Sequence, residues 1–316
     1  MTETDTRPTE DRDTIKAVPV RHPWRWVTTV VVIIIVAMFA NMLITNPAFQ
    51  WRFMFQNMFT PAVLNGVRTT LLLTVLAMAI GVALGIVIAV MRLSPSPIIS
   101  GAAWVYTWFF RAVPRIVLAI LFGNLGILYA KFYVGLPFDR QLLDLMGFQD
   151  ANARIFGVDA RTIGAGFVAG LLALALSEAA YMAEIVRAGM LSIDPGQTEA
   201  AQALGMSRLL TLWRVVLPQA MRVIIPPTGN ETIAMLKDTA LVAFVPVTNE
   251  LFFQLQAVGS RTFQVFPMLV AACLWYLALT SVLMVAQYFV ERRFSRGVAG
   301  RGPRVREPVG GVGVAH

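Results

Sequence analysis

The apolar positions of this chain fall in long uncharged blocks, not in the spaced stripes of a soluble helix or the alternation of a half-buried strand. Residues 27–44, 69–91 and 268–290 are three such blocks without a charged side chain. At about 1.5 Å rise per residue, each is long enough to cross a hydrocarbon core of about 30 Å. Three more apolar segments, about 98–130, 163–188 and 222–248, are interrupted by polar or charged residues. The pattern predicts an all-α, polytopic membrane protein with about six transmembrane helices, the unbroken ones near 26–45, 67–91 and 266–290. Gly81 and Gly85 place small residues four apart on the second span, a spacing that lets a neighbouring helix approach closely within the bundle. Residues 1–25 mix acids and bases without apolar periodicity and read as a disordered tail, as do residues 294–316.

One stretch fits neither lipid nor water. Residues 194–218, DPGQTEAAQALGMSRLLTLWRVVLP, lie between the fourth and fifth spans. Asp194 as N-cap, Pro195 at the first helical position and Gln197 at the third make a capping-box-like start. Gly205 breaks this helix, Ser207 can cap a second, and the second is expected to stop at Leu217-Pro218. Ala200, Ala203, Leu204, Leu209, Leu210, Leu212 and Trp213 make the segment too apolar to be left in water, and such a surface calls for a partner.

Composition agrees with the membrane reading. Hydrophobic residues make up 57% of the chain and charged ones 14%, where a soluble domain carries about 25% charged. The net charge of +8 comes from arginines flanking the spans: Arg7, Arg12, Arg21 and Arg25 before the first, Arg208, Arg214 and Arg222 in the middle segment, and Arg292, Arg293 and Arg296 after the last. Basic flanks mark the cytoplasmic side, so both termini and the 194–218 segment are expected on the inner face of the cell's cytoplasmic membrane. No aromatic-interleaved basic groove accompanies the charge, which argues against nucleic acid as a partner. A single Cys273 excludes an intrachain disulfide, and with only His22 and His316 it builds no Cys/His metal site. None of the three lysines, Lys16, Lys131 and Lys237, follows a glycine, so the chain has no G-x-x-x-x-G-K phosphate cradle. No cofactor is expected on it.

Glu199-Ala200-Ala201, three residues, Gly205, nine residues, Val215, one residue and Leu217-Pro218 resemble the EAA loop of ABC importer permeases, with Val215 where that family's pattern has isoleucine. FRAVP at 110–114, LALSEAAYMAEIVRAGMLSIDPGQ at 174–197, LPQAM at 217–221 and NETIAMLKDTALV at 230–242 resemble the polar amino acid (histidine/glutamine/arginine/glutamate) branch of those permeases. The resemblance covers about residues 64–293. It implies a type I ABC importer transmembrane fold there, with 26–45 as an additional N-terminal helix. The function implied is that of a non-catalytic permease subunit moving a polar amino acid by alternating access. The implied partners are a cytoplasmic ATP-binding subunit that holds ATP and Mg, an extracytoplasmic substrate-binding protein, and a second permease subunit, the same or related. Glu199, Ala200, Ala201, Gly205, Leu217 and Pro218 would then mark the element that docks on the ATPase. The rival is an ion-gradient-driven secondary amino acid transporter, which calls for inverted repeats between the two halves, and the sequence displays no such symmetry.

Polar residues within spans are candidates for the solute path. Ser177, Glu178 and Tyr181 fall near the middle of the fourth span, with Glu178 and Tyr181 on one face by their i,i+3 spacing. The resemblance implies a small polar or hydroxylated residue at 178, so the acid is a departure. It either meets the ammonium or basic side chain of a solute, or pairs with Lys237 or an arginine of a neighbouring helix. Glu184 and Arg187 read as an ion pair at the helix end. Arg111 and Arg115 are costly at the bilayer centre and are expected near the cytoplasmic interface. In the fifth span Pro226-Pro227 loosen the backbone, and Asp238 is expected to cap a second half-helix beginning at Thr239. Asn230, Glu231 and Lys237 then either contact the solute or gate, or hold the break together.

Overall fold

A computed structural model of the protein describes residues 23–128, 130–135, 143–146, 154–163, 166–245 and 247–294. Contacts divide the chain into two units, residues 1–49 and 50–316. In the first, α1 (Pro23–Thr45) is a continuous helix, apolar and long enough to cross a membrane. Residues 23–25 therefore belong to a helix and not to a tail. The remainder of the N-terminal tail and residues 295–316 lie outside the described residues.

The second unit begins with α2 (Trp51–Asn57) and α3 (Pro61–Arg92), followed by α4 (Pro97–Ala112) and α5 (Arg115–Gly123). A two-stranded antiparallel ribbon, β1 (Lys131–Gly135) and β2 (Arg154–Asp159), interrupts an otherwise mostly helical chain. Then come α6 (Gly166–Leu191), α7 (Pro195–Ala203), α8 (Arg208–Thr211), a π-helical turn over Leu212–Val216, α9 (Leu217–Asp238) and a 3-10 stretch over Thr239–Phe244. Helices α10 (Leu251–Thr262) and α11 (Val265–Phe294) complete it. Pro61, Pro97 and Pro195 each open a helix, where the missing N–H would have had no partner within the helix and the fixed φ is already helical.

Among the described residues five helical stretches are long and apolar enough to cross a membrane, and the pair α4 and α5 makes a sixth if counted as one bent span. That pair is the third apolar segment, and its break falls at the charged interruption expected within 98–130. Its halves are bent by 98°. Val113 is extended (ψ 127°) because the ring of Pro114 disfavours helical geometry in the residue before it. The fifth span differs from its sequence reading: α9 runs unbroken through Pro226 and Pro227 to Asp238. The change of helix expected at Thr239 is there, as a short 3-10 stretch continuing the same path, but the Asp238 side chain does not cap it and is engaged by Arg115 instead. Nor does Pro218 stop a helix. It follows the π-helical turn, where the N–H of Leu217 donates to the carbonyl of Leu212 and the wider ladder accommodates the missing N–H of the proline, and the helical path continues from Arg208 to Phe244.

The most extensive packing among the described residues is between α3 and α6. A Cβ on Gly81 would lie 2.7 Å from Cγ of Glu178, and one on Gly85 would lie 2.5 Å from Cβ of Met182. The two glycines thus let α6 approach α3, which it does with buried Ala175, Ala179 and Ala183. This is the small-residue contact that helices use in lipid, where hydrophobic segregation offers little and close backbone approach supplies the van der Waals energy. Leu73, Leu118, Leu174, Met235 and Val242 extend the core across α3, α5, α6, α9 and the 3-10 stretch. A second core joins α2, α3, α10 and α11 through Met54, Val63, Leu251, Leu255 and Met268.

Candidate functional site

Glu178 sits at the midpoint of α6, fully buried. What makes it tenable there is a cation delivered from another element. The Val113-Pro114 break turns α5 away from α4, and Arg115, the first residue of α5, reaches α6 and α9 from that corner. Its Nη2 donates to Oε2 of Glu178 at 3.0 Å, its Nη1 to Oδ2 of Asp238 at 2.5 Å, and its Nε to Oγ of Ser177 at 3.2 Å. Glu231 completes an ion pair with the same guanidinium at 3.7 Å. The Tyr181 ring lies 4.9 Å from the guanidinium carbon of Arg115 and 5.5 Å from that of Arg111, cation–π distances in both cases.

Four of the six residues assigned to the solute path from sequence (Glu178, Tyr181, Glu231 and Asp238) therefore converge on one group. The partner of Glu178 is an arginine and not Lys237. Lys237 and Asn230, seven apart and so on one face of α9, are exposed and take no part in the cluster. The expectation for Arg115 needs correction. It lies beside the midpoint of α6, not near an interface, because three carboxyl groups meet the cost of burying it. The signals for this in the sequence are an acid at 178 that departs from the family pattern and an arginine at 115 that is costly within a span, each of which calls for a partner of opposite charge.

The Glu184–Arg187 pair forms as expected, at 2.8 Å, and Arg92 of α3 adds a second cation at 3.2 Å. One polar cluster has no counterpart in the sequence reading. Glu250, also fully buried, caps α10: its Oε2 accepts from the backbone N–H of Phe252 (2.7 Å) and of Phe253 (3.2 Å). Its Oε1 accepts from the hydroxyls of Thr70 on α3 (2.9 Å) and Tyr276 on α11 (2.7 Å). Glutamate is not among the preferred N-cap residues, so the position gave no warning.

The 194–218 segment folds as an elbow. Asp194 accepts from the backbone N–H of Gly196 at 2.9 Å and opens α7, Gly205 turns the chain with φ +78°, and Ser207 accepts from the N–H of Leu210 at 3.3 Å to open α8. A positive φ is strained for any residue with a Cβ, which is the reason for glycine at 205. Ala201 is buried within the elbow, while Glu199, Ala200, Leu204, Leu209, Leu210 and Trp213 are exposed. Leu217 is half-buried and Pro218 exposed at the start of α9. Among the described residues no three His, Cys, Asp or Glu side chains are grouped so as to hold a metal ion.

Residues 81–296 match the family model described as "Binding-protein-dependent transport system inner membrane component". The chain is 40% identical over 283 residues to the arginine transport system permease protein ArgU of Corynebacterium glutamicum, covering 90% of this chain and 84% of that one. It is 30% identical over 233 residues to the probable glutamine ABC transporter permease protein GlnM of Bacillus subtilis, covering 74% and 93%. A crystal structure of an amino acid ABC transporter with histidines superposes with a TM-score of 0.58 at 32% identity, over 74% of this chain and 95% of that chain.

Proposed function

The chain belongs to the family of binding-protein-dependent transport system inner membrane components, and we propose that the solute it passes is a polar amino acid with a cationic side chain, moving along α9 beside α6. It is the multi-pass permease of an ABC amino acid importer and not that importer's ATPase. The observation that carries the solute reading is the Arg115 cluster, in which one guanidinium answers three carboxyl groups at mid-span. An added cation is the chemistry such a group favours. Exposed Asn230 and Lys237, on the adjoining face of α9, suit the solute's carboxylate.

A transporter of this kind works with an ATP-binding subunit and a substrate-binding protein. In the finer reading, the ATP-binding subunit grips the elbow around Glu199, Ala200, Ala201, Gly205, Leu217 and Pro218, and it alone holds ATP and Mg. Exposed apolar side chains on a capped, glycine-jointed element support this. The substrate-binding protein docks on the opposite face. A second permease subunit, the same chain or a related one, covers α9; a lysine and an asparagine exposed on a membrane-spanning helix call for a neighbour other than lipid. Arg208, Arg214 and Arg222 support a cytoplasmic elbow, with both termini on the same side.

Reconstitution in proteoliposomes tests the proposal. Uptake of radiolabelled L-arginine is expected to require ATP, the ATP-binding subunit and the binding protein together. Glu199→Lys, at an exposed position, should leave the permease folded and abolish ATP-linked uptake. Full uptake by that variant removes the docking role of the elbow, and uptake by the chain alone on an ion gradient overturns the proposal in favour of secondary transport.

A further inference from the structure

The three carboxyl groups around Arg115 are not held equally. Glu178 is fully buried and takes a 3.0 Å hydrogen bond from Nη2. Asp238, 33% exposed, takes the 2.5 Å bond from Nη1. Glu231, 26% exposed, has only a 3.7 Å ion pair, and it is to the same Nη2 that Glu178 already occupies. Among the described residues Glu231 has no other side-chain hydrogen bond or ion pair. Oε1 of Glu178 is buried and has no hydrogen-bond partner among the described residues. The cluster is therefore short of donors, and Glu231, the member held most weakly, is partly exposed. Glu231 and Asp238, seven apart, lie on one face of α9 about 10 Å apart along the axis.

Among the described residues the remaining polar and ring contacts of Arg115 are all on α6: Ser177, Glu178 and the Tyr181 ring. A guanidinium released by α9 would thus still be bonded and stacked. We infer that Arg115 is a positioning residue that competes with the solute's own cation: with the path empty it clasps α9 to α6, and an arriving cationic group takes Glu231 and then Asp238 from it. This rests on the reading that the solute passes along α9. Arrival of a cationic amino acid then undoes the α5–α9 contact while the α5–α6 contact stays, which links solute chemistry to the freedom of the helix that continues into the elbow. A neutral side chain offers the cluster nothing at Glu231 beyond the ammonium that every amino acid carries.

Competition makes a prediction of sign that a merely structural arginine does not. The permease assembled with its ATP-binding subunit, without binding protein, is titrated with radiolabelled L-arginine, with L-glutamine as the neutral comparison. Arg115→Met combined with Glu178→Gln removes the internal competitor together with its buried partner. It should tighten L-arginine binding by about tenfold, the worth of one charge-assisted hydrogen bond no longer contested, and leave L-glutamine binding little changed. Glu231→Gln should weaken L-arginine binding by a similar factor. Arg115→Lys keeps the charge but not the fork, should fall between wild type and the double variant, and serves if the double variant does not fold. Equal or weaker L-arginine binding in the double variant, or an equal change for both amino acids, overturns the inference. Absence of L-arginine binding in every variant while ATP-dependent uptake persists also overturns it, yet leaves the importer reading standing; loss of uptake from the complete wild-type system would strike that reading instead.

Discussion

Two fully buried glutamates, Glu250 and Glu178, occupy the same membrane bundle and are satisfied in opposite ways. Glu250 is surrounded by neutral donors: two backbone N–H groups at the start of α10 and the hydroxyls of Thr70 and Tyr276. Each of its oxygens accepts two hydrogen bonds, and the donors come from α3, α10 and α11. Glu178 depends on a single cation from α5, which it shares with Asp238 and Glu231, and one of its oxygens accepts nothing from the described residues. The first arrangement is closed. Nothing can be added to it, and removing any part strands the rest, so it acts as a tie between helices. The second is open: it has unused acceptors and a shared donor, and its partners on α9 are partly exposed. A buried acid is thus no guide to function by itself; the surplus or deficit of donors around it is what separates a tie from a binding element.

The largest effect should come from breaking the closed site. Glu250→Leu leaves two amide N–H groups and two hydroxyls without their acceptor and should cost about 4 kcal/mol or more, read as a fall in the unfolding midpoint of the purified complex. A loss below about 1 kcal/mol would mean that the three helices are held by apolar packing alone. At the open site, Arg115→Met should cost roughly 3 kcal/mol because it leaves a buried carboxyl group unpaired, and adding Glu178→Gln should recover much of that. The same unfolding measurement checks it, and additive losses would show that the two residues do not act as a pair. The smallest effect is expected at a third glutamate. Glu184 is partly exposed between Arg92 and Arg187, so Glu184→Gln should change stability by only about 0.5 kcal/mol. A shift as large as that of Arg115→Met would erase the distinction between a helix-end pair and the mid-span cluster.

Much of this arrangement was legible in the sequence, and the parts that were not share a cause. Uncharged blocks located the spans, Gly81 and Gly85 the tight helix contact, and Asp194, Gly205 and Ser207 the joints of the elbow. These are local signals, set by hydrophobic length, φ and capping geometry. Misreadings arose where a residue's partner is distant along the chain. Asp238 has the spacing of a cap, yet a guanidinium 123 residues away competes successfully for its carboxylate. Pro226 and Pro227 were expected to loosen the backbone, but α9 is continuous through them, and Gln287 of α11 donates to the carbonyl of Pro226 at 3.0 Å. Arg115 was placed at an interface on the average cost of a charge in lipid, a cost that three acids from α6 and α9 offset. Glu250 escaped notice because its donors lie on three helices.

The unbroken path from Arg208 through the π-helical turn to Asp238 has a mechanical corollary. It is a pushrod about 45 Å long, by helical rise alone, with the elbow at one end and the Asp238 carboxylate at the other. No loop along it can absorb a displacement, so a tilt imposed at α8 is felt at the far end as a sideways pull on the Asp238–Arg115 bond. The same rod runs in reverse: whatever loosens that bond also alters how freely the elbow can swing.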